Sequence, residues 1–256
     1  MLTFVGLGLY DERSVTIEGR DAIREAEAVF AEFYTSQLVA ADVADLEAFH
    51  DVEIQVRDRA GVEQDPEPIL SAGEEGTAVF LTAGDPTVST THVDLRLRAH
   101  DRGIDTRIVH APTAQTAASG LTGLQNYRFG KSTTIPFPWA HGADGVPDSV
   151  LDTIEANRER GLHTLAYLDI KAHEEELMTG SKAAQLLAAH WDGSALGVVV
   201  GRAGSPEPTV RAGRLEDLAT ESFGEPPHML IIPGELHPIE VDALEAFGGA
   251  PRELLA

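Results

Sequence analysis

The chain has 256 residues, 43% of them hydrophobic and 24% charged, and its 42 Asp and Glu against 19 Lys and Arg leave a formal net charge of -23. That length and apolar content describe a globular chain that buries a core without covalent staples, with two domains favoured over one. The absence of cysteine excludes disulfides, a thiolate nucleophile and any Cys-containing metal site, and the acidity argues against nonspecific DNA binding, which needs phosphate neutralisation.

Short β-rich runs alternate with helical patterns. Met1 to Gly6 has no basic stretch and soon reaches glycine, so Leu2 to Leu7 reads as a first strand and not as part of a signal peptide. Val15 to Glu27 reads as a helix, with Ser14 available as its cap. Ala28 to Tyr34 is a second strand, Val39 to Phe49 a short helix and Val52 to Val56 a third strand, and Pro66 to Ala72 opens another helix. Thr77 to Leu81 is a compact apolar strand that ends in the turn Thr82-Ala83-Gly84-Asp85-Pro86. A helix over Thr90 to Arg102 and a strand over Asp105 to His110 follow.

Pro112 marks a break, and the boundary between domains 1–111 and 112–256 is drawn there. Thr113 to Gly123 is rich in small residues and carries no strong helical stripe. Thr133 and Thr134 lead into a Pro-rich loop from Ile135 to Trp139. Pro147 to Arg160 is helical, Leu162 to Ile170 a strand and Ser181 to His190 a helix. Ala195 to Val200, Pro208 to Ala212 and His228 to Ile232 are strands, and Ile239 to Phe247 is a closing helix. No plain apolar run approaches the roughly 20 residues needed to cross a bilayer. The alternation predicts an α/β fold in both halves, largely parallel in the first and antiparallel or mixed in the second.

Two loops attract chemistry. Gly6-Leu7-Gly8-Leu9-Tyr10-Asp11 begins like a dinucleotide fingerprint, but Asp11 occupies the third glycine position and would set negative charge beside a pyrophosphate. A phosphate-cradling P-loop is excluded, because no Gly-Lys-Ser/Thr follows. What remains is either a tight strand exit or a strand end that lets a small ligand approach closely. Gly84-Asp85-Pro86 gathers Asp85 with the hydroxyls of Thr87, Ser89, Thr90 and Thr91 after a buried strand. That is where α/β folds bind ligands, although a locally capped helix start explains the same residues.

The acidic residues are spread along the chain. On a surface of roughly 11,000 Å² they read first as adaptation to a salt-rich cytosol and second as an acidic interaction face. The ten histidines form no metal motif: His173-Glu174-Glu175-Glu176 lacks a second histidine at position 177, which is leucine, and reads as a solvated face.

The residues also carry a resemblance that covers essentially the whole chain. It rests on Ala83-Gly84-Asp85-Pro86, on Thr90 to Arg96, and on Ile108-Val109-His110-Ala111-Pro112. It continues through Ala118 to Lys131, Leu168-Asp169-Ile170-Lys171, Arg202-Ala203-Gly204-Ser205 and Pro227-His228 before Pro233-Gly234. With these motifs the chain resembles the diphthine synthase family of the tetrapyrrole methylase superfamily. The resemblance implies a two-domain α/β fold with S-adenosylmethionine folded into a cleft between the domains. It also implies a cytoplasmic homodimer. The acceptor it implies is the modified histidine of archaeal elongation factor 2, whose 3-amino-3-carboxypropyl amine is methylated repeatedly. Donor contacts carry over to Leu9, Asp85, Val88, Thr113, Ala114, Leu168, Ala203 and His228. Family members often have Ser-Ile where this chain has Thr113-Ala114; threonine keeps the hydroxyl, and the smaller alanine changes the packing. His228 reads as a loop histidine on local sequence alone, and the resemblance moves it toward the adenosine.

Methyl transfer from a sulfonium needs no protein nucleophile and no metal, only alignment, close approach and exclusion of water. This agrees with the lack of cysteine and of any triad. The acceptor amine must be neutral to attack; Asp85 and Asp169 are candidate bases, with a structural or binding-only role as the alternative for each. Tyr127-Arg128-Phe129-Gly130-Lys131 mixes basic and aromatic groups in an acidic chain, so Arg128 and Lys131, together with Arg202, are candidates for gripping the acceptor. A methylase acting on another substrate, or a binding protein without turnover, are the competing readings.

Overall fold

The structure, a computed structural model, describes residues 1–140, 142, 145–171, 174 and 176–255. Two compact units divide the chain, Met1–Thr113 and Ala114–Ala256.

The first unit holds a parallel sheet made of β1 (Leu2–Gly6), β2 (Ala28–Glu32), β3 (Ile54–Val56), β4 (Ala78–Thr82) and β5 (Thr106–Val109), in the order β3-β2-β4-β1-β5. Its helices are α1 (Ile17–Glu25), α2 (Val43–His50), α3 (Arg59–Glu63), α4 (Glu67–Glu75) and α5 (Val93–Asp101). Every residue of β1 and β4 is buried, as expected of parallel strands covered on both faces. Their side chains alternate between two cores. Val5, Val29, Val79 and Leu81 meet Ile23 of α1 and Leu46 of α2. Leu2, Phe4, Phe30, Ala78 and Phe80 meet Val62 of α3, Ile69 and Leu70 of α4, and Leu95 of α5. Each fully buried Leu, Ile or Phe contributes about 1.5–3 kcal/mol, so a one-residue register slip would exchange the two cores and is strongly opposed. The chain leaves β1 toward β2 on one side of the sheet and β4 toward β5 on the other. The neighbours β1 and β4 therefore form the topological switch point, outside which ligands bind.

The second unit begins with α6 (Ala114–Thr122), β6 (Thr133–Ile135), α7 (Asp148–Arg158), β7 (Thr164–Leu168), β8 (Ile170–Lys171) and β9 (Glu176–Leu177). It continues with α8 (Gly180–Leu187), β10 (Leu196–Gly201), β11 (Thr209–Arg214), α9 (Leu215–Leu218), β12 (His228–Ile232) and α10 (Pro238–Gly248). The main sheet runs β11-β10-β12-β7-β6, antiparallel except where β6 pairs parallel with β7. β8 and β9 form a separate small hairpin. Ala166, Val199, Leu230 and Ile232 bury one face against Ile154 of α7, Ala183 and Leu187 of α8, and Leu215 and Leu218 of α9. The alternate residues Leu165, Val198, Val200, Met229 and Ile231 are buried as well, and α6 and α10 pack on the strands there. Among the described residues no helix is long and apolar enough to cross a membrane.

Several elements depart from the sequence expectation. Ser14 does not cap α1. Its hydroxyl accepts the N–H groups of Tyr10 and Asp11 and so closes the first loop, while Thr16 accepts Gly19 N–H at 3.0 Å as the true cap. The helix expected from Val39 starts at Val43, because Asp42 and Asp45 form a reciprocal capping box there. Thr113 to Gly123 is largely helix α6, which buries only Ala118 and Thr122, a spacing of four too sparse to show as a stripe. The strand expected over Leu162 to Ile170 breaks at Asp169 into β7 and β8. The Pro-rich loop yields its first residue, Ile135, to β6. The helix expected through His190 leaves α-geometry after Leu187 and finishes in a π turn, Ala188–Asp192. The short helices α3 and α9 carried no readable periodicity. In the acidic run, His173 and Glu175 lie outside the described residues, and Glu176 belongs to strand β9.

Candidate functional site

In the first unit, the exits of β1, β4 and β5 are tied together by backbone and one carboxylate. Gly8 and Gly84 both take φ of +76°, a region open to glycine. They exchange two hydrogen bonds, Gly8 N–H to Gly84 O at 3.2 Å and Gly84 N–H to Gly8 O at 2.7 Å. A Cβ on Gly6 would stand 2.5 Å from Gly84 O and 2.7 Å from Ala111 Cβ, so glycine there is a condition of the three exits closing up.

Asp85 is 5% exposed. Its Oδ1 accepts Thr87 N–H at 2.9 Å and the Thr87 hydroxyl at 2.6 Å. Its Oδ2 takes His110 Nδ1 at 2.8 Å and Ala111 N–H at 3.1 Å. Burial pushes this carboxyl up, but the bonds from Thr87, His110 and Ala111 outweigh it and hold the pKa below the ordinary aspartate value. Asp85 thus joins the loop after β4 to the end of β5, which is more than a local helix cap. Leu9 and Val88 lie half-buried in the adjoining loops, and Thr113 is buried at the end of the unit.

In the second unit the strand ends carry a different chemistry. His228, the first residue of β12, is 8% exposed. Its Nδ1 accepts Gly180 N–H at 3.0 Å, which puts the proton of the neutral ring on Nε2. That Nε2 is buried and makes no well-formed hydrogen bond, although the carbonyls of Phe223 and Glu225 lie near the ring. Burial lowers the pKa of the ring, against an opposing pull from the carbonyls of Phe223 and Glu225, so the histidine stays neutral. A Cβ on Gly201 would meet His228 Cδ2 at 2.9 Å; glycine at the end of β10 makes room for the ring. The chain then turns through Arg202 at φ +53° to the buried Ala203 and to Ser205, whose buried hydroxyl is also unpartnered. Leu168 is buried at the end of β7. Asp169 follows it, accepting Phe137 N–H at 3.0 Å and pairing with Lys171 Nζ at 3.0 Å. Ala114 is the first residue of α6.

Comparison with known proteins extends these observations. The family model Tetrapyrrole (Corrin/Porphyrin) Methylases matches residues 1–219. A diphthine synthase of Halobacterium salinarum is 69% identical over 260 residues, covering 100% of both chains. The diphthine synthase of Halorubrum lacusprofundi is 65% identical, with 100% of this chain and 99% of the relative covered. The chain belongs to the diphthine synthases, within the tetrapyrrole methylases. A crystal structure of diphthine synthase superposes with a TM-score of 0.91 at 37% identity, covering 99% of this chain and 98% of that one. The chain is therefore an enzyme, a methyltransferase with the α/β methylase fold.

For a member of this family, the basic candidates from the sequence divide sharply. Arg128 is not free to grip a substrate. Its guanidinium donates to Glu235 O at 2.6 Å and Gly161 O at 3.3 Å and lies 3.5 Å from the fully buried Glu240. Glu240 also receives Gln125 N–H and His237 N–H, and it faces His163 Nε2 at 3.0 Å. Burial pushes Glu240 up, but these bonds hold it below the usual glutamate value. The arginine is thus spent on seating α10 and its capping box, a long-range role invisible in Tyr127-Arg128-Phe129. Lys131 is exposed, with its backbone N–H on Asn157. Arg202 is half-buried and shapes the turn after β10. Sequence reasoning missed His110 as the partner of Asp85; its place at the end of a strand next to the loop was the available signal. It also missed the joining of Trp139 to Lys171, whose ammonium lies 5.6 Å from the indole centroid.

Proposed function

We propose that this chain transfers methyl groups from S-adenosylmethionine to the amine of the 3-amino-3-carboxypropyl group on the modified histidine of elongation factor 2, a step of diphthamide biosynthesis. The observation that carries this reading is the 69% identity to a diphthine synthase across the whole of both chains. The donor contacts in this reading are Leu9, Asp85, Val88 and Thr113 of the first unit and Ala114, Leu168, Ala203 and His228 of the second. The enzyme works as a homodimer in a salt-rich cytoplasm, in keeping with its net charge of -23.

S-adenosylmethionine supplies a methyl carbon on a positively charged sulfur, already activated for displacement. The residues fit such a ligand. His228 Nε2–H and the Ser205 hydroxyl are buried polar groups without a well-formed hydrogen bond in the protein, and such groups are costly unless something fills them. The neutral His228 ring keeps a donor, and not a second positive charge, beside a cationic ligand. The ionised Asp85 fixes the exits of β4 and β5 and lends negative charge nearby. Asp85 acts as a positioning residue and not as a base, since N–H and O–H donors occupy both its oxygens; Asp169 positions the loop through Oδ2, which accepts Phe137 N–H and pairs with Lys171. Bulk solvent takes the proton of the amine.

Incubating the purified protein with the donor and elongation factor 2 carrying the unmethylated group, at high salt, tests the reading by mass spectrometry. Successive methyl additions on the modified histidine are expected, and an unchanged mass rejects it. Asp85→Asn and Asp169→Asn should leave the shape of the pH profile of transfer intact; a lost limb in either variant would restore that aspartate as the base.

A further inference from the structure

The chain has three lysines, Lys131, Lys171 and Lys182, against 42 acidic residues. Lys171 lies 5.6 Å from the ring of Trp139, in the wall of a cavity that Lys182 itself lines. The cavity measures about 720 Å³ and is lined by Phe137, Pro138, Trp139, Met178, Thr179 and Lys182, with Leu177, Glu176 and Gly142 completing the wall. The floor is rigid: Phe137 is buried and stacks on Trp139 with ring centroids 5.6 Å apart and planes at 21°. Trp139 nevertheless remains 54% exposed, a large apolar surface left to water in the middle of a stacked pair.

Lys171 enters from the β8–β9 hairpin, where it pairs in register with Glu176. Two contacts hold its ammonium, the carboxylate of Asp169 at 3.0 Å and the Trp139 ring at 5.6 Å. Asp169 in turn clamps the Pro-rich loop through Phe137 N–H at 3.0 Å. Among the described residues the cation is anchored by these two groups, and an ammonium has three hydrogens to donate. Lys182 occupies the first turn of α8, three residues after the capping Thr179, where the helix dipole disfavours positive charge by a few tenths of a kcal/mol to about 1. Among the described residues its ammonium donates to the neutral Gln185, at 3.3 Å. A cation set against a local rule without structural compensation is expected where function requires it. Two ammonium groups and a helix N-terminus therefore balance the carboxylates of Asp169 and Glu176 and leave this corner near neutral in a strongly acidic protein.

We infer that Lys171, braced by Asp169 and Trp139, receives the free carboxylate of the acceptor's 3-amino-3-carboxypropyl group, with the cavity beside it admitting the rest of the acceptor side chain. The inference rests on the methyl-transfer reading above. It gives the enzyme a way to orient an amine, which itself must stay neutral, by gripping the carboxylate on the same carbon. Lys171 lies three residues beyond Leu168 on the same strand exit, so an acceptor held there approaches from the side of a residue assigned to the donor. Lys182 adds long-range attraction without a direct bond.

The test uses the full-length enzyme with elongation factor 2, and two small competitors, 2-amino-4-imidazolylbutanoate and its carboxamide. In the wild type the carboxylate competitor should inhibit about tenfold better than the amide. Lys171→Gln should raise KM for elongation factor 2 about tenfold or more and erase that discrimination, with S-adenosylmethionine affinity unchanged; Lys171→Arg should restore most of both. Equal inhibition by the two competitors in the wild type overturns the inference, as does a Lys171→Gln enzyme with normal KM and intact discrimination. A wild-type enzyme that transfers no methyl group to elongation factor 2 overturns the methyl-transfer reading and this inference with it.

Discussion

The strand ends of the first unit and those of the second are built on opposite principles. Around Asp85 four donors converge on two oxygens, and the paired glycines answer each other's backbone. Around His228 the protein leaves a ring N–H without a well-formed hydrogen bond, beside the Phe223 and Glu225 carbonyls, and a serine hydroxyl buried and unpartnered. The satisfied loop behaves as scaffold and the unsatisfied one as a socket, since an open buried donor persists only where a ligand repays its desolvation. An unfilled nitrogen is not by itself a site, however. His50 is buried at the end of α2 with both ring nitrogens unpartnered, and it packs edge-on against Phe49. His92, whose Nδ1 lies 3.3 Å from the Thr82 hydroxyl at the end of β4, likewise has a buried Nε2 without a hydrogen bond, 3.4 Å from Glu32.

The sharpest way to break this comparison is to remove the scaffold. Asp85→Ala strands Ala111 N–H and Thr87 N–H and should cost about 3 kcal/mol of stability, read as a lower denaturant midpoint at fixed salt; unchanged stability would show that Asp85 does not hold the strand exits together. Next comes acid. Burial, with Arg24 and Arg20 adding to it, lowers the His50 pKa from 6.5 to about 4. A histidine whose folded pKa is depressed binds its proton more readily when unfolded, so stability is full above about pH 6.5 and is lost as pH falls toward 4. Between pH 7 and pH 5 that amounts to about 2 kcal/mol, and His50→Leu should flatten this part of the pH dependence. A variant as acid-sensitive as the wild type would show that His50 is not buried neutral.

His228→Ala tests the socket. It should weaken S-adenosylmethionine binding about tenfold by calorimetry, the worth of one good hydrogen bond, while methyl transfer at saturating donor falls less. Ser205→Ala should be the mildest change. Its hydroxyl has no protein partner, so stability should move by under about 0.5 kcal/mol while donor affinity drops a few-fold. A stability loss above about 1 kcal/mol would reveal a structural bond and blur the contrast between the two loops.

Much was legible along the chain because it depends on neighbours a few residues apart. Continuous apolar runs announced β1 and β4, the spacing of turns predicted parallel pairing in one half and mixed pairing in the other, and His228–Ile232 was readable to the residue. Local hydrogen-bond competition was harder: Ser14 and Thr16 are both plausible caps, and only the folded loop shows that Ser14 is already taken by Tyr10 and Asp11.

What the sequence by itself determined was the alternation of elements, the glycines at the strand exits and the residues that mark the family, since propensity, burial period and motif are properties of short stretches. Only the tertiary structure decided which polar groups are spent and which are open. Arg128 is consumed by Glu240, 112 positions away in sequence, and Asp85 by His110, 25 away. Such partners meet through sheet order and helix packing, and a buried charge is defined by everything that surrounds it.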